Sequence, residues 1–348
     1  MLISDLDTPA VTAELPILEK NIRDMAAHCK ELDIPLRAHI KTHKIPEIAH
    51  MQIASGAIGI CCQKLGEAEV MVAAGIKNVL IPYNIVGRQK VERLLRLVKR
   101  ATITVALDSE ATAIGIAEQA KEEGLEVPVI IELDTGGHRC GVQSPEEARH
   151  LARKIVKLPG LSFQGIMTHP SLPEAEPFIR HTVEMLKADG ISVNIISGGG
   201  TGLEAISKAI GCTETRSGSY AFEGMKRINR TTNPPNPVTC VLRVICTVVS
   251  TPTPNRIIID GGMKTFASYP PTPYGYIVED PNAKIYAMSV EHGHVDVSTC
   301  STKFKVGDRI SVIPLHQEMC LNLHDKLYGV RNGKVEVVWD VAARGKVQ

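Results

Sequence analysis

Residues 102–133 read TITVALDSEATAIGIAEQAKEEGLEVPVIIEL and contain one complete strand–helix–strand unit. The runs 102–107 and 127–133 are short, apolar and rich in β-branched residues, as strands are. Between them, residues 110–123 carry apolar positions at helical spacing. A strand, a helix and a second strand in this order predict two parallel strands that are joined by a right-handed crossover.

The same alternation extends over the first 220 residues. Apolar, β-branched runs predict strands at 35–40, 57–62, 78–82, 102–107, 127–133, 163–168, 191–197 and 213–216. Helical spacing predicts helices at 15–32, 65–74, 89–100, 110–123, 145–156, 174–188 and 203–210. Eight such strands favour an α/β fold with a closed (β/α)8 barrel of the TIM type, and an open doubly wound sheet is the alternative.

Beyond the barrel, strands follow one another without intervening helices. The segment Asn233-Pro-Pro-Asn-Pro237 is a turn-rich break. After it, strands are predicted at 238–250, 256–260, 284–289, 309–313 and 334–339. We therefore predict a barrel domain over residues 10–232 and a C-terminal all-β domain that is formed by residues 1–9 and 233–348.

Composition excludes several classes of protein. The 39 basic residues are balanced by 38 acidic ones, so no net field attracts nucleic acid or an anionic membrane. No apolar run is long enough for a transmembrane helix, and residues 1–14 carry acids and a proline where a signal peptide needs basic and then apolar residues. The nine cysteines are odd in number and lack CxxC spacing, which is typical of buried thiols in a reducing compartment. We predict a cytoplasmic protein.

Unusual polar residues follow the predicted strands, where barrel enzymes place their active sites. The first strand leads into Arg37-Ala-His-Ile-Lys-Thr-His-Lys44, which crowds cations and two histidines at one strand end. A partly desolvated lysine among cations, such as Lys41, favours the neutral amine that attacks an aldehyde. The alternative is a solvated basic loop.

A glycine run follows the seventh strand. Ser197-Gly-Gly-Gly-Thr-Gly202 stands directly before a predicted helix, where backbone N–H groups can bind an anion. Barrels commonly bind phosphate at the loops after strands seven and eight, although a glycine run is often only a turn. The candidate phosphate residues are Gly199, Gly200, Thr201, Gly218, Ser219 and Tyr220. A lysine and a phosphate loop at one barrel mouth together fit a phosphorylated aldehyde that is held as a Schiff base.

These motifs resemble those of the D-threonine aldolase and D-serine dehydratase family. Its members are pyridoxal 5'-phosphate (PLP) enzymes with an alanine-racemase-type barrel and a C-terminal β domain. The resemblance covers almost the whole chain, from Asp7-Thr-Pro-Ala10 onward, and residues 37–44 are similar to the family's R-P-H-x-K-T-H-K, with Ala38 in place of proline. The resemblance implies that Lys41 bonds to PLP.

Further family motifs imply contacts with the cofactor ring. The segment 62–68 implies that Gln63 lies beside the ring, and residues 134–141 are similar to D-x-G-x-x-R-x-G, which implies that Arg139 lies near it. His169 occupies a strand end that faces the cofactor in the family. Lys41 and His169 are therefore the predicted catalytic residues.

The C-terminal domain carries a candidate metal pair. The family has P-x-H-x-D or P-x-H-x-C near its end, and this chain has Pro314-Leu-His-Gln-Glu318. The resemblance implies that His316 and Glu318 bind a divalent metal ion, and we expect them on one face of a strand because they are two residues apart. An imidazole with a carboxylate suits Mn, Mg, Co or Zn, whereas Cys320 would be a softer alternative ligand.

The resulting prediction is a PLP-dependent, metal-activated aldolase. It would cleave D-3-hydroxy amino acids to glycine and an aldehyde, and we expect a homodimer. A dehydratase that acts on D-serine or 3-hydroxyaspartate at the same site is the first alternative, since that pattern often has cysteine where Glu318 stands. A racemase and a non-catalytic PLP-binding protein are the others.

Overall fold

The computed structural model describes residues 1–225, 236–267 and 274–348. The chain divides into two compact units. The barrel unit comprises Ala26–Lys41, Ile48–Gly218 and Lys346–Gln348, and the sheet unit comprises Met1–Met25, Thr42–Glu47 and Ser219–Gly345. The chain begins with strand β1 (Ala10–Glu14) and helix α1 (Leu15–Glu31).

Eight parallel strands close into a barrel. They are β2 (Leu36–His39), β3 (Gly59–Cys61), β4 (Asn78–Ile81), β5 (Thr102–Leu107), β6 (Val127–Leu133), β7 (Leu161–Thr168), β8 (Ile195–Gly199) and β9 (Glu214–Ser217). Each strand pairs with the next in sequence order, and β9 pairs with β2 to close the ring. The predicted closed barrel is confirmed, all eight predicted strands are present, and the open-sheet alternative is wrong.

Helices connect the barrel strands. They are α2 (Pro46–Ala54), α3 (Leu65–Ala73), α4 (Arg88–Val98), α5 (Glu110–Glu122), α6 (Pro145–Ile155), α7 (Glu176–Ala188) and α8 (Glu204–Ala209). Two serines show why these helices begin where they do. Ser109 accepts the N–H of Thr112 at the start of α5, and Ser144 accepts the N–H of Glu147 at the start of α6. A side-chain oxygen at this position satisfies an N–H group that the helix itself leaves unpaired.

Five consecutive barrel strands contribute side chains to one buried apolar cluster. The buried cluster takes one residue from each of β3 to β7, namely Cys61, Leu80, Ala106, Ile130 and Met167.

The sheet unit is built from antiparallel strands. They are β10 (Leu242–Thr253), β11 (Arg256–Ile259), β12 (Gly275–Ile277), β13 (Lys284–Met288), β14 (Gly293–Asp296), β15 (Arg309–Pro314), β16 (Lys326–Arg331) and β17 (Lys334–Asp340). The short helix α9 (Tyr220–Glu223) precedes them, and α10 (Met263–Phe266) and α11 (Gln317–Leu321) lie between them. The sheet order is β11-β14-β13-β12-β15-β10-β1-β16-β17, and β11 also pairs with β10, so six strands close on themselves. The predicted all-β domain is confirmed.

The N-terminal segment extends farther into the sheet than residue 9. Strand β1 pairs with β10 and β16. Just before it, the Thr8 hydroxyl donates to Asp260 Oδ2 at 2.6 Å, and the N–H of Thr247 donates to Asp260 Oδ1 at 2.8 Å. The residues that open the family motif therefore anchor the first strand to β10. The predicted boundary at 232/233 lies outside the described residues, as do residues 233–235 of the predicted break.

No helix within the described ranges is long and apolar enough to cross a membrane. None of the nine cysteines, all of which the structure describes, forms a disulfide; seven are buried, Cys140 is exposed and Cys300 is intermediate.

Candidate active site

Strand β2 presents the first functional side chains of the barrel unit. Arg37 and His39 are two residues apart, so they share one side of the strand, and both are buried. Lys41 follows in a single 3-10 turn, Ile40–Thr42, and its side chain is exposed. The predicted nucleophile therefore lies just past the strand end and contacts solvent, whereas partial desolvation was expected.

His39 is a buried, neutral imidazole. Burial lowers the pKa of His39 well below its ordinary value, the charge of Lys41 lowers it further, and the hydrogen bond to Gln63 opposes them without reversing the shift. The Lys41 N–H donates to His39 Nδ1 at 3.4 Å, so the proton lies on Nε2, which donates to Gln63 Oε1 at 3.1 Å. These two bonds hold the imidazole in one tautomer and one orientation.

His169 and Arg216 also lie around His39. Both residues contribute to the lowered pKa of His39, which places them within electrostatic range of its ring. The structure thus brings Lys41, Gln63 and His169, three of the predicted residues, around a histidine that was not predicted as a site residue.

A buried ionic network supports Arg216 from below. Arg37 donates to Glu214 through Nε at 2.9 Å and through Nη2 at 2.9 Å. Ser197 Oγ donates to Glu214 at 2.6 Å and accepts from Arg216 Nη1 at 2.7 Å. Arg216 Nη2 donates to the carbonyl of Thr168 at 2.8 Å. The guanidinium groups of Arg37 and Arg216 both have hydrogen-bond partners, and these bonds offset the desolvation penalty of burying two cations inside the barrel.

The loop after β6 places Arg139 beside a buried carboxylate. Arg139 Nη2 lies 3.2 Å from Glu132 Oε1. Burial raises the pKa of Glu132, and the attraction of Arg139 opposes this without cancelling it. The loop also approaches the end of β7, since a Cβ on Gly137 would lie 2.7 Å from the carbonyl oxygen of His169. Only glycine allows that approach.

The predicted phosphate loops meet, but three of their glycines use their N–H groups internally. Gly218 N–H donates to Thr201 Oγ1 at 3.3 Å, which joins the loops after β8 and β9. Gly199 N–H donates to Ser171 Oγ and Gly200 N–H donates to the carbonyl of Arg216, both at 2.8 Å. These three N–H groups do not face an anion, contrary to expectation, because they fix the shape of the loops.

The helix expected behind this loop is short. It begins at Glu204, after a turn that the glycines allow, and has six residues. Its macrodipole is correspondingly weak. Ser219 and Tyr220 follow in the chain at the start of α9, in the sheet unit, where Tyr220 is fully buried.

Gln63 and Arg139 line one cavity in the barrel unit. Its volume is about 490 Å³, and the ends of β3, β4 and β6 contribute its walls. Two of the predicted ring contacts therefore face the same space at the mouth of the barrel.

The metal pair in the sheet unit is not on one strand. Strand β15 ends at Pro314 and α11 begins at Gln317, so His316 caps the helix and Glu318 lies in its first turn. The expectation that strand spacing directs both side chains to one face is therefore wrong, because the chain turns into a helix between them. His316 is buried and Glu318 is half-buried. The pair still offers an imidazole and a carboxylate, which are both ligands for a divalent metal ion.

Cys320 is fully buried, and its thiol already has a hydrogen-bond partner. Burial raises the pKa of its thiol, and Sγ lies 3.2 Å from the carbonyl oxygen of Thr265, to which it donates. Only a thiolate is a metal ligand. Within the described ranges no three His, Cys, Asp or Glu side chains gather as a metal site, so a metal on this pair would take its other ligands from water and substrate.

Comparison with known proteins extends the similarity over both units. Residues 14–222 match the family model described as alanine racemase, N-terminal domain, and residues 241–330 match one described as a serine dehydratase domain. The chain is 34% identical to D-threonine aldolase of an Arthrobacter species, over 99% of this chain and 94% of the relative. It is 33% identical to 3-hydroxy-D-aspartate aldolase of Paracoccus denitrificans, over 99% and 93%.

Solved structures agree with these matches. The crystal structure of D-threonine aldolase from Filomicrobium marinum superposes with a TM-score of 0.90 and 31% identity, covering 100% of this chain and 99% of that one. A mutant of D-threo-3-hydroxyaspartate dehydratase in its metal-free form superposes with a TM-score of 0.84 over 98% of both chains, but at 24% identity it shows the fold alone. The chain therefore belongs to the D-threonine aldolase and D-serine dehydratase-like family, whose barrel is an alanine racemase N-terminal domain.

Proposed function

We propose that this protein is a PLP-dependent, divalent-metal-activated aldolase that cleaves D-3-hydroxy amino acids to glycine and an aldehyde. The observation that carries the proposal is the convergence of Lys41, Gln63, His169 and Arg216 around His39 at the barrel mouth. Relatives that align with 99% of the chain are aldolases for substrates of this class.

The barrel residues fit PLP. Lys41 has an exposed amine at a strand end, where it can bond to an aldehyde. The loops that carry Thr201 and Gly218 meet, and the buried Thr201 hydroxyl is a donor that suits a phosphate. We assign Ser219 and Tyr220 to the same phosphate site, with Gly199 and Gly200 shaping the loop beside it.

PLP, when bound, supplies the electron sink for a carbanion at the substrate's α-carbon. The other roles fall to the chain itself. Gln63 and Arg139 contact the ring and orient it, and Gln63 is itself held by His39. Because the pKa of His39 lies well below its ordinary value, His39 stays neutral and does not serve as a general acid at neutral pH. His169 is the residue that we assign to proton transfer at the substrate.

His316 and Glu318 are the proposed metal ligands. A divalent ion there supplies Lewis acidity to the substrate's β-hydroxyl. The donor set suits Mn, Mg, Co or Zn. The hydrogen bond that Cys320 Sγ donates to the carbonyl of Thr265 supports Glu318 as the second ligand, and a carboxylate there supports the aldolase over the dehydratase.

We propose a homodimer in the cytoplasm. The free state of all nine cysteines supports a reducing compartment. A dimer is expected because Lys41 and the proposed ring contacts belong to one unit of the chain and the proposed metal pair belongs to the other. Light scattering on the active holoenzyme should give twice the monomer mass, and a fully active monomer would contradict the dimer.

Product analysis tests the activity. Holoenzyme supplemented with Mn is incubated with D-threonine, D-serine or D-3-hydroxyaspartate, and glycine, aldehyde and ammonia are assayed. The proposal expects glycine and aldehyde in equal amounts from the 3-hydroxy substrates that bear a further β-substituent. Release of ammonia without glycine would indicate a dehydratase instead of an aldolase. The L-enantiomers are tested in parallel, and reaction with them alone would overturn the proposal.

A further inference from the structure

The cavity at the ends of β3, β4 and β6 is lined by more residues than the two that are assigned to the cofactor ring. Its volume of about 490 Å³ lies within the usual range for a small-molecule site. Besides Gln63 and Arg139, its walls include Tyr83, Asn84 and Lys90.

Two cations line this cavity. Lys90 lies in α4 and is half-buried, and it makes no ion pair with any carboxylate in the described part of the chain. Arg139 supplies a guanidinium group from the loop after β6. A third cation is close by, since Lys64 Nζ lies 4.0 Å above the ring of Tyr83. A lysine that lines a cavity and makes no ion pair favours a ligand that brings the negative charge.

The oxygen acceptors in the same walls are already used. The side-chain oxygen of Gln63 accepts from His39, and that of Asn84 accepts the N–H of Asp108 at 3.2 Å. Because the Asn84 oxygen is used in this way, its NH2 group is the part of the side chain that is left to bind a ligand. Glu132 is the carboxyl in the wall, and it is paired with Arg139. The cavity thus offers a ligand mostly donors and positive charge.

We propose that this cavity is a specificity subsite for a carboxylate on the substrate's β-carbon, and that Lys90 is the residue that binds it. The inference rests on the proposed function and refines its substrate class to D-3-hydroxy amino acids with an acidic side chain. Arg139 and the Asn84 amide contribute further hydrogen-bond donors to the same carboxylate.

The cavity suits a side-chain carboxylate better than the α-carboxylate that every amino acid carries. It is formed at β3, β4 and β6, whereas the loops assigned to phosphate follow β8 and β9, on the other side of the strand ring. Its volume also exceeds what a single carboxylate attached directly to the reacting carbon requires. A substituent that extends away from the reacting carbon uses this space.

A charge-removing variant tests the role of Lys90. Lys90→Met keeps the length of the side chain and removes its charge. It should raise KM for D-3-hydroxyaspartate about tenfold, because one charge-assisted hydrogen bond is lost. KM for D-threonine should be unchanged. Lys99→Met is the matched control, since Lys99 follows the same helix, pairs with Glu123 and lies outside the cavity. An equal rise for both substrates would assign the cavity to the α-carboxylate, and no rise for either would remove the subsite; either result overturns the proposal.

A binding readout separates this proposal from the proposed activity. Cys140 is exposed and lines the cavity, whereas seven of the other cysteines are buried. Labelling of native holoenzyme with Ellman's reagent, in a Cys300→Ser background, therefore reports on the cavity. Succinate should slow the labelling severalfold, propionate should not, and Lys90→Met should abolish the protection. If succinate gives no protection, the subsite is refuted even when D-threonine is cleaved. If it protects while no 3-hydroxy amino acid is cleaved, the anion site stands and the proposed function fails.

Discussion

At the scale of single residues, the mouth of the barrel depends on a buried charge pair. Arg37 and Glu214 are 6% and 4% exposed and share two parallel hydrogen bonds. Through Ser197 this pair reaches Arg216, whose backbone carbonyl also accepts the N–H of Gly200. The ionic network therefore joins the barrel interior to the loop that is assigned to phosphate.

Glu214→Gln should be strongly destabilising. It leaves the guanidinium of Arg37 buried without a counter-charge, at a cost of about 3–5 kcal/mol in the free energy of unfolding, which urea denaturation measures. Glu69→Gln is the matched control, because Glu69 makes the same two-bond pair with Arg93 nearer the surface, and less than about 1 kcal/mol is expected. Equal losses in the two variants would show that burial of the pair is unimportant.

The same pair predicts a pH dependence. Burial alone would raise the pKa of Glu214, but Arg37 and the bond from Ser197 outweigh it and bring the pKa below its ordinary value. Its stabilising contribution is therefore complete above about pH 4.3, the ordinary glutamate value, and is lost as the pH falls through the lower folded-state pKa. Wild-type protein should lose stability over this acid range more steeply than Glu214→Gln. Parallel stability curves for the two proteins would contradict the assignment.

Gly200 tests the shape of the phosphate loop. Its φ is +126°, and a Cβ there would lie 2.7 Å from Leu203 Cδ1. Gly200→Ala should weaken PLP binding at least tenfold, as titration of apoenzyme would show, because the loop must shift. Gly211→Ala is the control, since φ is also positive there but nothing lies within 4 Å of the added Cβ. It should cost about 1 kcal/mol in stability and leave PLP affinity unchanged.

The sequence predicted the roles of single residues only where those residues follow a predicted barrel strand. Lys41, Gln63, Arg139 and His169 follow strands, so the barrel pattern alone locates them at the mouth. The role of His39 was missed because a histidine within a strand looks like a core residue until its partners are known. Arg216 and Glu214 were missed for the same reason, since their pairing with Arg37 and Ser197 joins segments that are far apart in sequence.

At the scale of elements, local pattern identified the barrel strands well and the sheet unit less completely. Eight β-branched runs became β2 to β9, because buried parallel strands are almost continuously apolar. Strands β1, β12, β14 and β16 were not predicted, since they are short or interrupted by glycine and gain their stability from pairing with distant segments. Helix α2 was also missed, because its buried face includes the polar Gln52.

Helix α11 is the element on which the metal prediction depends. Chelation with EDTA should abolish turnover and leave the absorbance of bound PLP unchanged, because Lys41 and the proposed ring contacts lie in the barrel unit, whereas the proposed metal ligands lie at the start of this helix. Glu318→Ala should act in the same way, Glu318→Asp should restore much of the activity, and Cys320→Ser should keep metal dependence intact. Loss of metal dependence in Cys320→Ser with retention in Glu318→Ala would identify the thiol as the ligand instead.

At the scale of the whole molecule, each unit collects segments that are distant in the chain. The sheet unit gathers its strands from residues before and after the barrel, and the parallel pairing of β1 with β16 joins residues 12–14 to 328–330. No local pattern carries that information, which is why the predicted boundary at residue 9 and the observed extent of β1 differ. The family resemblance, by contrast, spans the chain, because its motifs belong to both units.

The most direct test of the account is to locate the lysine that holds the cofactor. Holoenzyme is reduced with borohydride, digested, and the PLP-bearing peptide is identified by mass spectrometry. The account predicts one modified peptide, with the label on Lys41, and no label in Lys41→Ala. A label on Lys44 or Lys64 instead, or full labelling of Lys41→Ala, would contradict the active site described for this barrel.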